Sequence, residues 1–83
     1  MNKLLIYKYI ERIKKEDIAN YSLSQNINLT TNELDIIYDY IKNKTNEILN
    51  NPSQLIDEIK DKVSINVYNK IFELYDKYKD YIN

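Results

Sequence analysis

Apolar residues recur three and four positions apart along most of the chain, which is the spacing of amphipathic helices. The first segment shows the pattern clearly, because Ile6, Ile10 and Ile13 share one face and charged residues lie between them. Stretches rich in Asn, and a single proline, interrupt the pattern. The periodicity and its interruptions predict helices over residues 3–13, 16–25, 31–43, 52–63 and 65–81.

Capping signals mark several of these boundaries. Thr30, followed three residues later by Glu33, forms the capping-box pattern, so the third helix should begin directly after Thr30. Asn26 suits a left-handed end of the second helix, because Asn replaces Gly there better than other residues do. Asn43 should end the third helix, although nothing in the sequence forbids a continuation through Ile48.

The pair Asn51 and Pro52 should end any such continuation and start the next helix. Proline disfavours helical geometry at the residue before it and suits the first position of a helix. We expect Asn51 to cap this helix and Ser64 to cap the last one. Because no repeat or linker divides the chain, the predicted fold is all-α, a compact bundle of four to five helices forming a single domain over residues 1–83.

Four residue types are absent from the sequence: Cys, His, Trp and Gly. Without Cys and His there is no disulfide, no Cys/His zinc site and no imidazole base, and without Gly there is no P-loop or dinucleotide-binding turn. We therefore expect no enzymatic activity, no cofactor and no small-molecule substrate. No apolar run approaches the roughly 20 residues of a membrane span, and we expect a cytoplasmic protein.

Positive charge is concentrated near the N-terminus, although the formal net charge of the chain is −1. Five cations stand against Glu11 in this segment: Lys3, Lys8, Arg12, Lys14 and Lys15. A basic N-terminal helix of this kind could bind RNA or an anionic membrane, which is the alternative function. So few cations on a net acidic chain disfavour both nucleic acid and membrane as partners.

Acidic pairs and a helix-turn-helix pattern are further candidates. Asp35 and Asp39, and likewise Asp57 and Asp61, lie four residues apart and could share a cation or perform acid/base chemistry. Such pairs usually form the solvated face of a helix, and a cation would need more ligands. The second and third helices also resemble a helix-turn-helix, but acids on the third helix oppose a phosphate-lined groove.

Apolar residues left outside the predicted core point to a binding surface. A chain this small needs nearly all its apolar residues for the core, so the remainder are informative. Tyr can serve in packing, with its ring buried and its hydroxyl in water, or in a partner interface. We expect a non-enzymatic module that binds a protein partner or itself, as an adaptor, an inhibitor or a homo-oligomer. The residues expected to bind are Tyr75, Tyr78, Tyr81, Leu74 and Tyr40.

Several stretches of the chain resemble a small helical family of low-GC Gram-positive bacteria, the YqfT-like domain of unknown function. The resemblance covers residues 13–21, residues 26–30, Glu33 and residues 37–42. These positions are caps and core residues, so the resemblance implies a similar helical fold. That family has no established activity, and the resemblance therefore implies no catalytic residue.

Overall fold

Six α-helices make up the chain in the computed structural model, which describes the backbone of residues 3–82 and the side chains of residues 4–77. The helices are α1 (Lys3–Arg12), α2 (Lys15–Ser24), α3 (Thr31–Asn43), α4 (Thr45–Asn50), α5 (Pro52–Ile59) and α6 (Ile65–Ile82). The described backbone contains no strand. The predicted all-α bundle is confirmed, with one more short helix than the periodicity suggested.

The predicted capping box starts α3. The backbone N–H of Glu33 donates to Thr30 Oγ1 at 3.1 Å, and the backbone N–H of Thr30 donates to Glu33 Oε1 at 3.1 Å. These bonds satisfy N–H groups that have no partner inside the helix. The helix begins at Thr31 and ends at Asn43, as predicted.

The additional helix arises from a break after Asn43. Lys44 leaves helical geometry, with φ −122° and ψ 36°, and the chain resumes as α4. The hydroxyl of Thr45 donates to the carbonyl of Ile41 at 3.1 Å, a back-bond that bends helices. The continuation through Ile48 that the sequence permitted is therefore a separate helix.

A left-handed residue ends α2 where the sequence predicted one. Asn26 has φ 61°, the only positive value among the described residues. The N–H of Asn26 donates to the carbonyl of Leu23 at 3.0 Å, and the N–H of Ile27 donates to that of Ser22 at 2.9 Å. This pair of bonds is a Schellman motif, which satisfies the last carbonyls of the helix.

The boundaries of α5 and α6 agree in part with the prediction. Pro52 takes the first position of α5, but the side chain of Asn51 bonds Gln54 and does not cap the backbone. The helix ends at Ile59, before the predicted position 63, and a turn follows. Ser64 Oγ accepts from the N–H of Val67 at 3.4 Å and so caps α6 as expected.

The core is small and centres on α5, which packs against both α4 and α6. Its buried apolar residues are Leu49, Leu55, Ile56, Ile59 and Val67. Helical spacing from Ile18 predicts Tyr21 and Leu23 on the inward face of α2, but they are 48% and 56% exposed. None of the helices in the described part of the chain is long and apolar enough to cross a membrane.

Candidate binding cleft

An open apolar cleft of about 550 Å³ lies in one face of the bundle. Its volume falls within the range of ligand sites, roughly 300–1,000 Å³. One set of lining residues comes from α2 and α3, which pack together, and another from α5 and α6, which also pack together. The apolar lining includes Ile18, Ile37, Ile41, Ile48, Leu55 and Ile71.

Three of the residues predicted to bind a partner line this cleft together. Tyr40 comes from α3, while Leu74 and Tyr75 come from α6, and all three are half-buried. Residues distant in sequence thus meet on one surface. The side chains of Tyr78 and Tyr81, the other two predicted residues, lie outside the described part of the structure.

The chain has a radius of gyration of 12.2 Å, close to the about 11.8 Å of a compact domain of this length. Its accessible surface is 5904 Å², compared with about 5200 Å² for a typical monomer of 10.0 kDa.

Glu33 joins the start of α3 to the start of α6 and so fixes two parts of the cleft to each other. Its Oε2 accepts from the backbone N–H of Ser64 at 2.7 Å, and its Oε1 accepts from the backbone N–H of Thr30 at 3.1 Å. The side chain is only 7% exposed. These backbone hydrogen bonds, that from Ser64 foremost, lower the pKa of Glu33 below its ordinary value, so the carboxylate is charged at neutral pH.

Two ammonium groups flank Tyr40 at the rim of the cleft. The Nζ atoms of Lys44 and Lys62 lie 4.9 Å and 5.2 Å from the centre of the Tyr40 ring. Lys62 Nζ also donates to the Tyr40 hydroxyl at 2.9 Å, and this bond raises the pKa of Lys62. Lys44 has an acidic partner, Glu58, at 3.4 Å.

Aromatic surface continues beyond the cleft itself. Tyr9 and Tyr21 line it but remain 66% and 48% exposed. Along α6, the ring of Phe72 lies 6.5 Å from that of Tyr68 and 6.4 Å from that of Tyr75, and Phe72 is 49% exposed. Helical spacing along α6 predicts Phe72 on the inward face, but its ring is exposed and does not line the cleft.

The basic N-terminal segment does not form one helix. Lys14 and Lys15 follow the end of α1, and Lys15 Nζ pairs with Asp35 on α3 at 2.7 Å. The hydrogen bond that Lys15 donates to Asp35 raises the pKa of Lys15. Lys8 and Arg12 remain on α1, and the side chain of Lys3 is outside the described part.

Sequence reasoning missed the cleft as a shape and also several of its apolar residues, such as Ile27 and Val67. The sequence does contain more apolar residues than a small core needs, but this surplus does not show where on the fold a cleft would form. Among the described side chains, no group of three or more acidic residues could hold a metal ion. No family model, curated protein or solved structure matches the chain, so the cleft provides the basis for inferring a function.

Proposed function

We propose that the chain is a non-enzymatic interaction module that binds a protein partner through the open apolar cleft. The observation that carries this proposal is that Tyr40, Leu74 and Tyr75 line one apolar cleft, which has a volume of about 550 Å³. Concave, mostly apolar hollows of this volume are the usual places where proteins bind ligands. Covering the cleft would supply the hydrophobic free energy of association.

The residue types at the cleft fit a protein interface. Tyr is enriched among the residues that dominate binding energy, because its ring buries apolar area while its hydroxyl finds a polar partner. Tyr40 and Tyr75 are half-buried and preordered by packing, which lowers the entropic cost of binding.

The alternative, binding of RNA or anionic membrane through a basic N-terminal helix, has weaker support. Lys15 is paired with Asp35 and lies on α2, apart from the cations of α1. Binding of that kind depends on free cations and weakens steeply with salt.

Site-specific photo-crosslinking in source cells tests the proposal. A photoreactive phenylalanine analogue at position 75 should give a discrete protein adduct, and the same analogue at Lys8, an exposed position on α1, should not. Leu74→Asp should abolish the adduct made from position 75 while the circular dichroism spectrum stays helical. Leu74 is half-buried at the cleft, so the carboxylate that Leu74→Asp introduces there would oppose the docking of an apolar partner surface.

Two results would contradict this assignment. One is equal crosslinking from positions 75 and 8. The other is retention of the adduct in Leu74→Asp with an intact fold. Loss of all adducts on nuclease treatment or in high salt would favour the basic N-terminal segment. An adduct of twice the chain mass would identify a second copy as the partner, and sedimentation analysis would confirm it.

A further inference from the structure

We draw no further inference here: the strongest candidate, the open apolar cleft lined by residues of α2, α3, α5 and α6, belongs to the site already described, and nothing in the structure shows what covers it.

Discussion

The carboxylate of Glu33 is the polar contact on which the arrangement of α3 and α6 depends most. One oxygen accepts from Thr30 within the capping box, and the other accepts from Ser64 at the start of α6, at 2.7 Å. Glu33→Gln keeps the size and shape of the side chain. It removes the charge and replaces one acceptor oxygen with an NH₂ group, which faces a backbone N–H. The variant therefore tests the hydrogen bonds by which Glu33 joins Thr30 to Ser64, which we call the Glu33 clasp, without creating a cavity.

The magnitude follows from the bonds that are lost. A hydrogen bond to a charged group contributes about 1.5–3 kcal/mol, and the Gln oxygen can replace one of the two acceptors. We expect Glu33→Gln to lower the free energy of unfolding by about 2 kcal/mol. For a domain of this size the melting temperature should fall by roughly 8–16 °C. Glu16→Gln is the matched control, because Glu16 is an exposed acid in the first turn of α2. Its loss should cost about 0.5 kcal/mol through the helix dipole alone.

The pH dependence supplies a second test with a defined sign. The folded pKa of Glu33 lies below its ordinary value of 4.5, so the clasp contributes stability above that pH. That contribution is lost as the pH falls from 4.5 through the folded pKa. Urea unfolding followed by circular dichroism, repeated from neutral to acidic pH, should show the gap between wild type and Glu33→Gln shrinking below pH 4.5. Equal costs for Glu33→Gln and Glu16→Gln, or a gap independent of pH, would refute the reasoning.

Three further variants test other parts of the structure. Leu49 is only 2% exposed, so Leu49→Ala should lower the free energy of unfolding by about 2–5 kcal/mol. Leu23→Ala, at an exposed position, should lower it by less than about 0.5 kcal/mol, and urea unfolding of both variants measures the difference. Lys42 donates at 2.7 Å and 2.9 Å to backbone carbonyls near the end of α1. Lys42→Met should therefore raise the rate of amide hydrogen exchange in α1 while α5 stays protected. The control variant Lys8→Met should leave the exchange rate of α1 unchanged. Asn26→Ala should cost about 1 kcal/mol because of its positive φ, and Asn26→Gly should cost nothing; an equal loss in both would contradict this account.

The helix boundaries that were predictable from sequence are those with a local physical cause. The capping box at Thr30, the left-handed Asn26 and the helix-starting Pro52 depend on residues within a few positions of each other. The early end of α5 and the resumption of the chain as the short helix α4 carry no comparably strong local signal. Periodicity describes one face of a helix, but it cannot say how far tertiary packing extends the helix.

The candidate site was likewise predictable from the sequence only in part. The surplus of apolar residues predicts Tyr40 and Leu74 as binding residues, because a small core cannot use every apolar side chain, and both line the cleft. Their meeting in one cleft depends on how α6 packs against α5 and on the Glu33 bond to Ser64, a contact across 31 positions. Neither of these can be read from spacing along the chain.

Polar contacts at helix ends explain how a chain with so small a buried core can leave an apolar cleft open. Glu33 ties the starts of α3 and α6, Lys42 donates to the last turns of α1, and the Schellman bonds after Asn26 close α2. The first two contacts join different helices, whereas the Schellman bonds fix only the end of α2. Part of the cleft lining, including Leu55 and Val67, is buried in the core, and the exposed part lies above it. If packing alone held the helices, the walls would collapse onto one another, since filling a hollow of this size is favourable. We expect the directional bonds that join different helices to keep the walls apart, and the proposed partner would then cover the exposed part of their apolar surface.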